Sequence, residues 1–276
     1  MRKVGETSVN VSVAVHQDEL PTEFMQDDIA VEVPVALVYN SISHAVMMAT
    51  PDNLEDFALG FSLTEDIIGD ADEVSHIHVQ SSGNGINVRL MISDERFDAL
   101  RERRRSLVGR TGCGLCGVES LKQAIRPVDT VVGIDVSDEA IQYAINSLKQ
   151  HQALAGLTGA THAAAWCDLQ GHIQFVREDV GRHNALDKLI GAHVKTGLLV
   201  SEGFALVSSR ASYEMVQKSA SAGFGCLVAV SAPTSLAIEQ AENVGMKLVG
   251  FARSGRHVVY VEPKNTIENN TLRQAM

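Results

Sequence analysis

Residues 204–251 read FALVSSRASYEMVQKSASAGFGCLVAVSAPTSLAIEQAENVGMKLVGF. Ala205 to Ser208, Leu227 to Ser231 and Leu248 to Phe251 are apolar runs of strand length. Between them, Tyr213 to Ala222 and Ser235 to Val244 space their apolar residues at the helical period. This alternation predicts βαβα order, and with it an α/β/α layered domain on a largely parallel sheet. Outward from this stretch, Ala163 to Cys167, Ile173 to Arg177 and Val258 to Val261 add strands, and Asp138 to Ala155 and Asn184 to Lys195 add helices.

Towards the N-terminus the pattern is different. Ile29 to Tyr39 alternates Val31, Val33, Val35 and Leu37 on one face, and Pro34 predicts that this strand lies near an edge. Thr50-Pro51-Asp52-Asn53 reads as a helix start, followed by Leu54, Phe57, Ala58 and Phe61 at helical spacing. Val74 to Val79 and Ile86 to Ile92 form a strand pair about the Ser81 to Gly85 turn, and Ser93 caps a charged helix running to about Arg105. The chain thus divides into a polar, at best partly ordered segment 1–30, a smaller α+β domain 31–105, a cysteine loop and connection 106–136, the α/β/α domain 137–262 and a tail 263–276. A short helix is expected within the connection, from Gly117 to Ile125.

A net charge of −11 argues against general nucleic-acid binding, which needs many cations to displace counterions from phosphates. Locally the balance reverses: Arg101, Arg103, Arg104, Arg105 and Arg110 crowd one stretch, as a solvated helix face or as attraction for an anion. The N-terminus lacks the apolar core of a signal peptide, and no apolar run is long enough to span a bilayer. A cytoplasmic protein without membrane insertion is expected, in a compartment where thiols stay reduced.

In that setting Arg110-Thr111-Gly112-Cys113-Gly114-Leu115-Cys116-Gly117 carries the most chemistry. Three glycines around two thiols permit unusual backbone angles. A thiolate that accepts and releases sulfur must be accessible and low in pKa, and Arg110 and a following helix start favour that state. Half of a zinc site, a dithiol redox pair and two inert cysteines are the rival readings. No second Cys-X-X-Cys exists, and Cys167 and Cys226 lie in apolar, strand-like runs. No resident metal is expected, but spacing alone does not separate sulfur transfer from redox work.

Three strand ends share a second chemistry. Glu178-Asp179-Val180-Gly181-Arg182-His183-Asn184, Ser208-Ser209-Arg210 and Phe251-Ala252-Arg253-Ser254-Gly255-Arg256 each join Arg to Ser or Gly. In α/β sheets ligands gather beyond the carboxyl ends of strands, and free backbone N–H groups at helix starts attract anions. Arg182, Arg210 and Arg256 are therefore candidate phosphate ligands, with Ser208 and Ser209 assisting. The competing structural role at the first end is Asn184 as a helix cap. Thr161-His162-Ala163-Ala164 differs from the His-X-Glu of zinc deaminases, because Ala164 stands where the general acid/base is required.

Together these motifs resemble the formate dehydrogenase accessory sulfurtransferases, the FdhD family. The likeness runs from about Val31 through Leu59-Gly60-Phe61, the Cys113/Cys116 loop, Thr161-His162-Ala163-Ala164, Glu178 to Ala185 and Ser208-Ser209-Arg210 to Val249-Gly250-Phe251-Ala252-Arg253. The resemblance implies a homodimeric sulfurtransferase with a cytidine-deaminase-like larger domain that lacks deaminase chemistry. It implies sulfur taken from a cysteine desulfurase as a persulfide on Cys113, with Cys116 as partner. It further implies delivery to a bis-molybdopterin guanine dinucleotide molybdenum cofactor for formate dehydrogenase, and a cofactor-binding segment Phe251 to Arg256. Arg182 and His183 are further candidate cofactor contacts. Ala252 and Ser254 stand where the family varies. An insertion chaperone that binds the cofactor without sulfur transfer is the alternative.

Overall fold

The computed structural model describes residues 3–108 and 127–264. Its larger sheet has six strands: β7 (His162–Asp168), β8 (Ile173–Asp179), β9 (Gly203–Val207), β10 (Cys226–Ala229), β11 (Lys247–Arg253) and β12 (Arg256–Val261). Their order across the sheet is β12-β11-β10-β9-β7-β8. Strands β9, β10 and β11 are parallel, as the alternation predicts, whereas β7 is antiparallel to both its neighbours and β12 to β11. The sheet is therefore mixed, not largely parallel. The connections β7–β8 and β11–β12 are too short for a crossover helix, so each closes as a hairpin.

Period-two side chains split that sheet into two cores. Ala164, Trp166, Ala205, Val207, Leu227, Ala229 and Leu248 face α5 (Arg182–Val194), α6 (Tyr213–Ser221) and α7 (Ser235–Val244). Ala165, Cys167, Phe204, Leu206, Cys226, Val228 and Val249 face the opposite layer, α3 (Asp138–His151). Cys167 and Cys226 are thus core thiols, and burial raises the pKa of both, that of Cys226 to about 12.

Several boundaries differ from expectation. The helix expected over Asp138 to Ala155 breaks at Gln152, and α4 (Ala153–Thr158) follows it. The Glu178 carboxylate causes the restart by accepting from the N–H groups of Leu154 and Ala155, both at 2.8 Å. Helix α5 begins two residues before Asn184, which is not its cap. The Asn184 amide donates instead to Met48 O at 2.8 Å and Asp179 Oδ1 at 3.0 Å.

The smaller sheet orders β4 (Ile42–Ala49), β3 (Val33–Tyr39), β6 (Gly85–Met91) and β5 (His76–Ser82), with α1 (Leu54–Thr64) against one face. Here β3 is central despite Pro34, which precedes the first residue of the β3–β6 ladder at Val35. The β3–β4 turn is Asn40-Ser41, with φ of 42° and 83°, the left-handed pair that a tight two-residue hairpin requires. Segment 1–30 is not merely polar: β1 (Ser8–Val15) and β2 (Glu23–Ala30) pair as an antiparallel hairpin. A charged helix, α2 (Asp94–Val108), completes the unit. The expected helix Gly117 to Ile125 lies outside the described residues.

The two sheets are joined where α1 crosses α5. A Cβ at Gly60 would lie 1.8 Å from Asp187 O, and one at Gly191 1.9 Å from Asp56 O, so both backbones need glycine at the crossing. Asp56 then ties the layers, paired with Arg177 at 2.8 Å and Lys195 at 2.6 Å.

His193 on α5 packs edge-on to Trp166 with centroids 4.3 Å apart, and against Phe224 at 5.2 Å. It is 3% exposed, its Nε2 has no hydrogen-bond partner among the described residues, and burial lowers its pKa from 6.5 to about 4. The unfolded chain therefore takes up this proton first as pH falls, and the stability contribution present above pH 6.5 is lost towards pH 4. Between pH 7 and pH 5 the loss is about 2 kcal/mol. Urea unfolding at the two pH values should show this component in the native chain and not in His193→Phe. Equal pH slopes in the two proteins would overturn the assignment.

Candidate functional site at the carboxyl edge of the larger sheet

Strands β8 to β11, apart from the reversed β7, end at one edge, where β7 and β12 begin. Backbone hydrogen bonds carry the edge past the strand ends: Ser208 N to Ala163 O at 2.9 Å, Ser231 N to Ser209 O at 3.2 Å and Phe251 N to Ser231 O at 3.0 Å. The three expected segments therefore share one rim. They are not one pocket. Five strand spacings separate β8 from β12, about 24 Å, so Arg182 and Arg256 cannot hold the same phosphate.

At the β8 end, Gly181 is the N-cap of α5 and Arg182 its first residue. The Nε of Arg182 is buried with no hydrogen-bond partner among the described residues, beside the free N–H groups of the helix start. His183 Nε2 lies 2.7 Å from the Glu214 carboxylate, and this contact is the main reason that Glu214 stays below the usual carboxylate range. His162 is pushed down, first by burial and then by the charges of Arg182 and His183. Burial and the neighbouring cations thus disfavour the charged form of His162, against the opposing pull of Asp179.

Beneath the turn lies a closed ion pair. Lys188 Nζ is 2.7 Å from Asp179 Oδ2, and both side chains are fully buried. Asp179 also accepts from Thr50 N at 3.0 Å and Gly181 N at 2.8 Å, while Lys188 donates to Thr50 O at 3.0 Å. The Thr50-Pro51 motif is therefore the clasp between the smaller domain and the 178–184 turn.

At the β9 end the serines divide their roles. Ser208 Oγ accepts from Ala163 N at 2.9 Å and keeps its own proton to donate. Ser209 is buried and its hydroxyl donates to Arg210 O at 3.0 Å, so it shapes the turn and offers a ligand no free donor. Arg210 is exposed.

At the β11 end Phe251 adopts φ 49°, and the register slips between Gly250 and Arg253. A non-glycine residue in the left-handed region costs about 1–3 kcal/mol and marks a segment whose shape is imposed. Arg253 and Arg256 are cross-strand partners about Ser254-Gly255, and all four residues are exposed. Like charges directly opposite across a hairpin repel. Ala252 is buried, and with Arg253, Val230 and Lys149 it lines a pocket of about 360 Å³ floored by Ile145 and Leu148 of α3.

Sequence reasoning missed Glu214 and Gln142, which touch these segments from other elements, and His257, which follows Arg256 on β12 and contacts Gln142. The arginine-rich stretch resolves as a helix face in its described part: Arg101 pairs with Asp98 at 3.2 Å, and Arg103 donates to Glu65 O at 2.8 Å. Cys113 and Cys116 lie outside the described residues. Among the described residues, no three His, Cys, Asp or Glu side chains converge to hold a metal ion, and no helix is long and apolar enough to cross a membrane.

The chain is similar to known proteins over nearly its whole length. Proteins named sulfur carrier protein FdhD include one from Cupriavidus necator, 56% identical over 239 residues, covering 86% of this chain and 83% of that one. One from Xanthomonas oryzae pv. oryzae is 51% identical over 266 residues, covering 95% and 94%. A crystal structure of a candidate formate dehydrogenase accessory protein from Desulfotalea psychrophila superposes with a TM-score of 0.73 at 22% identity, over 94% of this chain and 99% of that chain, which establishes a shared fold. The model of the FdhD/NarQ family matches residues 30–267, and the chain belongs to that family.

Proposed function

We propose that this protein is a sulfurtransferase for formate dehydrogenase maturation, which takes sulfur from a cysteine desulfurase and delivers it to a bis-molybdopterin guanine dinucleotide molybdenum cofactor as substrate. The curated relatives bearing the name sulfur carrier protein support the transfer role. In the first step the Cys113 thiolate attacks the terminal sulfur of the donor's persulfide. The donor S–S bond breaks, the donor cysteine leaves as thiolate, and the terminal sulfur stays on Cys113 with its proton. On this reading Cys116 supports Cys113, the protein works as a cytoplasmic homodimer, and the larger domain is cytidine-deaminase-like without deaminase chemistry.

The observation that carries the anionic-cofactor reading is the facing pair Arg253 and Arg256. Two exposed guanidiniums held opposite one another are favourable once an anion lies between them, and a planar fork suits phosphate. The rim's length fits a substrate with phosphates at more than one place: one group at Arg253 and Arg256, others towards Arg210, Ser208, and Arg182 with His183.

Guanosine diphosphate is the probe. The Arg253→Ala/Arg256→Ala protein should bind it about tenfold to hundredfold more weakly, as expected for lost charge-assisted hydrogen bonds, and the loss should shrink in high salt. Arg182→Ala should weaken a longer, multiply phosphorylated ligand more than this probe. Unchanged affinity in the double variant would end the reading of this turn as a phosphate site.

A further inference from the structure

The turn that carries Arg253 and Arg256 is gripped from outside its own strands. Gln142 on α3 accepts from Gly255 N through Oε1 at 2.8 Å, and its Nε2 lies 3.0 Å from His257 Nδ1. The other ring nitrogen, Nε2, lies 2.9 Å from Asp138 Oδ1. Gly255 itself holds φ 75°, so the turn has one backbone shape that suits it and few others.

Donor counting fixes every proton in this chain of contacts. The Gly255 N–H can only donate, so the Gln142 oxygen must face it. The Gln142 NH2 group then faces His257, so Nδ1 must be an acceptor and the ring proton must sit on Nε2, directed at Asp138. A second proton on Nδ1 sets two donors against each other. Flipping the amide moves the conflict to Gly255 and does not remove it. The charged neighbours are Asp138 on α3, at Nε2, and Arg256, the residue before the ring on β12, with Arg253 across the turn.

We propose that Gln142 and His257 are positioning residues that hold the Arg253–Arg256 turn in its phosphate-binding shape, with His257 Nδ1 as the acceptor that fixes the Gln142 amide. The proposal rests on the turn's role in binding the nucleotide part of the substrate. It makes α3, which carries none of the family motifs quoted above, part of the binding apparatus.

The test measures guanosine diphosphate affinity of the full chain by calorimetry for the native protein, Gln142→Leu, His257→Phe, His257→Asn and Arg253→Ala/Arg256→Ala. Gln142→Leu should weaken binding about tenfold through the loosened turn. His257→Phe, which fills the space of the ring and removes the acceptor, should weaken binding by a similar factor. In His257→Asn the amide oxygen can replace Nδ1 as the acceptor, so this conservative variant should restore native affinity. A merely structural role would not separate the two His257 variants in this way. If the double arginine variant loses affinity while Gln142→Leu does not, or if His257→Phe and His257→Asn bind alike, the relay is wrong. If the double arginine variant binds as well as the native chain, the turn is not the phosphate site and the function proposed above fails at this point.

Discussion

Cys113→Ala is expected to abolish acquisition of sulfur from a cysteine desulfurase while leaving guanosine diphosphate affinity unchanged. Alanine offers no electron pair to attack a sulfane sulfur, so the loss should be to background, not a graded slowing. Labelled cysteine fed to the desulfurase, followed by peptide mapping, reads the first half of the prediction, and calorimetry reads the second. The decisive readout is a formate dehydrogenase matured with the variant. It should contain its molybdenum cofactor and lack the terminal sulfur. A chaperone that inserts the cofactor without sulfur chemistry predicts an active enzyme from the same variant, and label persisting on the Cys113→Ala chain would contradict transfer through this residue.

Much of the fold was legible because its signals are local. Alternation at Val33, Val35 and Leu37, and the strand-helix alternation after Phe204, report burial directly, and the corresponding side chains lie in the cores. The β1–β2 hairpin escaped because it buries little: Phe24 is 79% exposed and Met25 53%, and none of the alternating Val9, Val11, Val13 and Val15 is fully buried. Strand β4 escaped for the same reason, with Val46 62% exposed. The rim motifs could be read as strand ends, but their spread could not. It depends on β7 lying between β8 and β9, an order set by hairpin closure over many residues. The Gln142 contact with Gly255 spans 113 residues, and nothing at Gln142 itself distinguishes it from other polar residues on a helix.

Asp179→Ala is expected to be the most destabilising single change at the rim, by about 4–5 kcal/mol, with Lys188→Met nearer 3 kcal/mol. Both remove half of one buried ion pair, yet they leave different debris. Without Lys188, the Asp179 carboxylate still accepts from Thr50 N, Gly181 N and the Asn184 amide. Without Asp179, the Lys188 ammonium is left in the core with two carbonyl oxygens, of Thr50 and Glu178, and no counter-charge, while Gly181 N loses its acceptor. Burial already pushes the Lys188 pKa down against the pull of Asp179. Urea unfolding at pH 7 measures the order of the two effects. The consequence extends beyond stability, because the same carboxylate fixes the start of α5 and the clasp to Thr50. Asp179→Ala should accordingly loosen the Arg182 end of the rim and spare the Arg253–Arg256 turn at the far end, so its guanosine diphosphate affinity should stay close to native. Losses below 1 kcal/mol in both variants would show that Asp179 and Lys188 are not the clasp, and the join between the domains would then rest on the glycine crossing of α1 and α5 and the Asp56 ion pairs.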